Sequence, residues 1–121
     1  MLASQRLLIV EDMFLIALDI QRILENAEAA QAVFARNFEE AAALADRFAE
    51  FDLAIVNPPG PGDHAIVARL AAAGPAIVIC TGAPAHLVGT PLFGFPVVTK
   101  PFSDDDLLAA CRRALDARPV R

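Results

Sequence analysis

Short apolar runs that stop at a polar residue constrain this chain more than any other feature. Leu7-Leu8-Ile9-Val10, Leu53-Ala54-Ile55-Val56 and Ala76-Ile77-Val78-Ile79-Cys80 are continuous in this sense. Such a run reads as a strand covered on both faces, the pattern of a parallel sheet between helix layers. Weaker strands fit residues 31–35 and 97–99. Between them lie helical patterns. Residues 13–26 place Phe14, Ile16, Ala17, Ile20, Ile23 and Leu24 on one apolar face, with Asp19, Arg22 and Glu25 outside it.

The remaining connections follow the same alternation. Residues 38–49 are alanine-rich with Leu44 and Phe48 four apart, which predicts one helix. The Pro- and Gly-rich stretch 57–62 cannot be regular structure. Asp63 can cap a helix over 64–73, stopped by Gly74-Pro75. Residues 82–96, with Gly82, Pro84, Gly89, Pro91, Gly94 and Pro96, do not support a full helix. Ser103 with Asp106 makes a start like a capping box for the last helix, which carries Leu107, Leu108, Cys111, Ala114 and Leu115 on one face. The prediction is an α/β, flavodoxin-like, doubly wound sheet of five parallel strands with helices on both faces, the fourth helix short or disordered. The whole chain, 1–121, reads as a single domain without an output domain.

Composition narrows the function. The chain is 56% hydrophobic and 21% charged, as a packed globular domain is. Its formal charge of −5 argues against binding nucleic acid or an anionic membrane. Arg112, Arg113, Arg118 and Arg121 cluster near the end, where cations in a last helical turn and tail suit the helix dipole. Cys80 and Cys111 sit in apolar runs and read as buried thiols, not a disulfide. No apolar stretch is long enough to span a bilayer, and no secretory leader pattern opens the chain, so a cytoplasmic location is expected. His64 and His86 have no partnering cysteine and read as solvated side chains.

Polar residues follow the strands in a telling order. Glu11-Asp12 follows the first run, Asn57 the third, Thr81 the fourth, and Lys100-Pro101 the fifth. In doubly wound sheets ligands bind beyond the carboxyl ends of the strands, so these residues should converge. An acid pair, a hydroxyl and a lysine placed this way resemble the active site of response-regulator receiver domains, and the resemblance covers essentially the whole chain. It implies that Asp12 binds Mg²⁺ directly, Glu11 acts through water, and the Pro59 carbonyl adds a ligand. It also implies that Thr81 hydrogen-bonds a phosphoryl oxygen and Lys100 pairs with it. The position of Asn57 is that of the aspartate which accepts the phosphoryl group.

Asparagine there breaks the chemistry. An amide is a poor nucleophile, and its neutral oxygen is a weaker Mg²⁺ ligand than a carboxylate. Lys100 is expected to keep Glu11 and Asp12 as neighbours in a stable pocket that needs no metal and holds Mg²⁺ weakly or not at all, an expectation of no cofactor. Asn57→Asp is expected to restore Mg²⁺ binding. Val97 is a second departure, because many receivers carry a rotating Tyr or Phe three residues before the lysine. The short, proline-rich stretch from Thr81 to Lys100 is a third, and it alters the face that many receivers use to dimerise.

The leading expectation is therefore a non-enzymatic pseudo-receiver in two-component signalling. It would bind a histidine kinase, phosphotransfer protein or transcription regulator through the loops around Asn57 and the last helix. A homodimer is a further alternative. The prolines of the 57–62 loop serve equally as a rigid docking edge or as a stiff turn. A competing reading keeps the switch, through a pocket ligand or phosphorylation at Asp52, Asp63 or Ser103. Another takes Asn57 as an engineered change in a normal receiver, although Pro58-Pro59 and Val97 favour a natural variant. A small flavin enzyme is disfavoured, since Glu11-Asp12-Met13-Phe14 offers no glycines to cradle a phosphate and would repel one.

Overall fold

The computed structural model describes residues 5–57, 64–90, 92 and 94–118. Five parallel strands lie in the order β2-β1-β3-β4-β5: β1 Arg6–Val10, β2 Gln31–Ala35, β3 Leu53–Val56, β4 Ala76–Thr81 and β5 Val97–Thr99. The helices are α1 Phe14–Asn26, α2 Phe38–Ala42, α3 His64–Ala72 and α4 Asp104–Ala117, with 3₁₀ turns at Ala45–Glu50 and Pro84–Leu87. This is the predicted doubly wound arrangement, and the stretch before β5 carries a single short 3₁₀ turn among its described residues.

Alternation along the strands explains the two-sided core. Leu7, Ile9, Leu53, Ile55, Val78 and Val98 face one way, onto Ala17, Ile20 and Leu24 of α1 and Leu107, Cys111 and Ala114 of α4. Leu8, Val10, Ala54, Val56, Ile77 and Ile79 face the other, onto Phe38, Phe48, Phe51, Val67 and Leu70. Fully burying one such aliphatic side chain is worth about 1.5–3 kcal/mol, so both layers are needed to hold the sheet. No helix among the described residues is long and apolar enough to cross a membrane.

Four local expectations change. The helix predicted over 38–49 is broken: α2 stops after Ala42 and the chain tightens, with Leu44 N–H on Ala41 and Arg47 N–H on Leu44. At three residues per turn, Phe48 and Phe51 fall on one side, and both are buried. In α1, Phe14 leaves the predicted apolar face and is 73% exposed. Arg118 does not complement the α4 dipole, since the last turn of that helix holds no basic residue. Its guanidinium turns back to the sheet instead, donating to the carbonyls of Gly74 (3.0 Å) and Asp52 (3.1 Å). His64 is half-buried rather than solvated, while His86 is exposed.

The capping box of α4 forms as expected, Asp106 N–H on Ser103 Oγ at 3.1 Å and Ser103 N–H on Asp106 Oδ2 at 3.2 Å. Helix α1 ends with Ala29 N–H on the Leu24 carbonyl and Glu28 in the left-handed region at φ 76°, a place that favours glycine. The proline-rich turn 58–62 and the Asp63 cap lie outside the described residues.

Candidate functional site

Backbone ladders carry the polar residues to one edge. Glu11 N–H donates to the Ala35 carbonyl, Asn57 N–H to Val10, and Lys100 N–H to Thr81, at 2.9–3.1 Å. Each therefore extends its strand by one more bond at the carboxyl end. Strand alternation then sorts the side chains. Glu11, Asn57 and Lys100 lie two residues beyond Ile9, Ile55 and Val98, which all face the α1–α4 layer. Thr81 lies two beyond Ile79, which faces the opposite layer.

Side-chain bonds join Glu11, Asn57 and Lys100. Lys100 Nζ donates to Glu11 Oε2 at 2.8 Å. Glu11 is the one buried charged residue among those described, and its Oε1 accepts from Met13 N–H at 3.2 Å. The Asn57 amide is best satisfied with Nδ2 donating to the Cys80 carbonyl and Oδ1 accepting from Lys100 Nζ, both at 3.1 Å. Turned the other way, Nδ2 makes only a 3.4 Å contact to Glu11 Oε1. The Thr81 hydroxyl is tied into its own turn, accepting from Ala83 N–H at 3.1 Å.

Asp12, expected beside Lys100, is exposed, and Lys100 bonds Glu11 instead. The expected Pro59 carbonyl lies outside the described residues. Buried Cys80 sits against this pair. Desolvation pushes its thiol up to about 11, Glu11 adds to the rise, and the Lys100 ammonium pulls it partly back. Desolvation likewise pushes the free, buried thiol of Cys111 up to about 12.

The donor set does not fit Mg²⁺ as it stands. That ion wants six oxygens in octahedral array and usually a carboxylate or two. Here one carboxylate is already bonded to an ammonium and a backbone N–H, the second is out at the surface, and the third position is an amide. Among the described residues no group of three or more His, Cys, Asp or Glu side chains is placed to hold a metal.

Two of the three other candidate phosphoryl acceptors already hold hydrogen bonds. Asp52 lies at the amino end of β3, where Oδ2 accepts from Arg6 N–H at 2.9 Å and Oδ1 from Arg118 at 3.4 Å. Ser103 is engaged in the capping box. Asp63 lies outside the described residues.

Sequence reasoning missed an apolar strip beside this edge. Met13, Phe14, Leu15 and Leu18 are 56%, 73%, 78% and 40% exposed. The signal was present: three consecutive apolar residues at a helix start cannot all lie on one face with 3.6 residues per turn. Between this end of α1 and the β5–α4 connection lies a cleft of about 530 Å³ lined by Leu15, Ile16, Asp19, Lys100, Pro101 and Phe102.

Solved structures place the class: the chain carries the fold of response-regulator receiver domains. The response regulator PhyR from Brucella abortus matches with a TM-score of 0.74 and 27% identity over 94% of this chain and 49% of that one. This chain therefore spans about half the length of that PhyR, 49%. The signal receiver domain of an HD domain-containing protein from Pseudomonas fluorescens Pf-5 matches with a TM-score of 0.74 and 27% identity, covering 93% of this chain and 95% of that one. A response regulator receiver protein from Sinorhizobium medicae WSM419 reaches a TM-score of 0.78 over 98% of this chain and 100% of its own, at 19% identity, a likeness of fold alone. No family model and no curated protein matches the sequence.

Proposed function

We infer that this chain is a pseudo-receiver: a signalling module that acts by phosphorylation-independent protein–protein interaction. The observation that carries the reading is the bonding of Asn57. Its amide supports a hydrogen bond to the Cys80 carbonyl at one end and one from Lys100 at the other. An aspartate would place a carboxylate oxygen against that carbonyl with no hydrogen between them. The amide suits the position, and an amide does not form a stable acyl phosphate.

The apolar strip of Met13, Phe14, Leu15 and Leu18 supports a partner surface next to the cleft that Leu15 and Lys100 line. Its surroundings are acidic: Asp12 precedes it, Asp19 follows, and Asp104 of α4 is tied across to α1 by Arg22 at 3.3 Å. The complementary partner is an apolar helix with basic flanks on a histidine kinase, phosphotransfer protein or transcription regulator. The acidic rim and the formal charge of −5 disfavour nucleic acid.

A two-hybrid screen against the kinases, phosphotransfer proteins and regulators of the same genome would find the partner. Its affinity should be the same with and without acetyl phosphate and Mg²⁺. Phe14→Ser should weaken binding about tenfold or more, as loss of an aromatic anchor does, without unfolding the domain. An affinity that appears only with the phosphodonor would overturn the reading.

A further inference from the structure

Glu11 is buried as an ion, and something must balance it. Its side chain is 1% exposed, and its nearest cation is Lys100, itself only 17% exposed, at 2.8 Å. The same ammonium reaches Asn57 Oδ1 at 3.1 Å. An ammonium is a compact point charge with three donors. Two of those donors are aimed at two of the groups that a divalent cation at this edge would require. With Asn57 neutral, Glu11 and Lys100 sum to no net charge, so the pair supplies no excess negative charge to strip Mg²⁺ of its water.

We propose that Lys100 Nζ is the resident cation of this pocket, neutralising Glu11 from within the chain and competing a divalent metal out. This rests on the pseudo-receiver reading and deepens it, because it assigns the metal-free state to Lys100 as well as to Asn57. Removing the ammonium while keeping Asn57 should open the acid site to a metal. An aspartate at 57 should do so by another route, adding a carboxylate that draws Lys100 away from Glu11.

The test compares thermal unfolding of the unchanged protein, Lys100→Met and the double variant Glu11→Gln/Lys100→Met, with MgCl₂ against NaCl at equal ionic strength. Mg²⁺ should raise the melting temperature of Lys100→Met and leave the other two unmoved. A folded Lys100→Met that ignores Mg²⁺, or an unchanged protein that responds as strongly as the variant, would overturn the proposal.

Should Lys100→Met not fold, the unchanged protein still decides. Lys100 is the only lysine in the sequence, so acylation at that residue reports on one site. It should be slower than in the denatured chain and insensitive to millimolar Mg²⁺. Faster acylation on adding Mg²⁺ would mean that the metal displaces the ammonium, and the proposal fails. That failure is separate from failure of the pseudo-receiver reading, which turns on phosphoryl transfer and partner binding.

Discussion

Opposite ends of the sheet each hold a cation–carboxylate pair, and the two are built differently. At the amino end, Arg118 joins Asp52, with side chains 13% and 26% exposed. Three strands and a helix meet there through main-chain bonds: Arg118 on the Gly74 and Asp52 carbonyls, Asp52 on Arg6 N–H. At the carboxyl end, Lys100 joins Glu11 through side chains, and Asn57 is the third member. The first pair staples the fold, and nothing else could take its place without breaking backbone bonds. The second joins side chains alone, with no backbone bond from Lys100 Nζ among the described residues. The second pair lies at the carboxyl ends of the strands, the edge where doubly wound sheets bind ligands.

Substitutions at the two pairs should differ in cost and in response to Mg²⁺. Lys100→Met should have the largest effect, about 3–5 kcal/mol, because it leaves Glu11 buried and unpaired. Arg118→Ala should cost about 2–3 kcal/mol, through two carbonyls and a carboxylate that lose a charged donor. Urea unfolding measures both. The sharper distinction is rescue: Mg²⁺ should recover part of the Lys100→Met loss and none of the Arg118→Ala loss. Equal rescue of both would erase the contrast.

Asn57→Asp should come next, at about 1–2 kcal/mol in metal-free buffer, since the Cys80 carbonyl loses its donor. That loss should shrink in Mg²⁺, whereas a variant more stable than the unchanged protein in metal-free buffer would contradict the bonding described for Asn57. The smallest effect lies away from both pairs. Glu28→Gly relieves a left-handed backbone at the end of α1 and should stabilise by up to about 1 kcal/mol. Its melting temperature should rise equally with and without Mg²⁺.

Much of this was legible in the sequence because it depends on strands. Continuous apolar runs identified β1, β3 and β4, and the polar residue after each run lay at the edge where ligands bind. Glu11, Asn57 and Lys100 converge for that reason. Thr81 ends β4 at the same edge, where its hydroxyl accepts from Ala83 N–H at 3.1 Å. The break after α2 was hidden because alanines suit an α-helix, while the tertiary demand to bury both Phe48 and Phe51 is not local. Arg118 was hidden for a similar reason: its partners, Asp52 and Gly74, lie 66 and 44 positions away. Which acid of Glu11-Asp12 turns inward follows from alternation along β1, since Glu11 lies two residues beyond Ile9.

On the proposed reading, Asn57 and Lys100 together leave this receiver fold without phosphoryl chemistry. Intact masses after incubation with acetyl phosphate and Mg²⁺, for the unchanged protein and for Asn57→Asp, test it most directly. Only Asn57→Asp should gain a phosphoryl group, at residue 57. A phosphoryl group on the unchanged protein would contradict that reading and return the domain to the switched receivers.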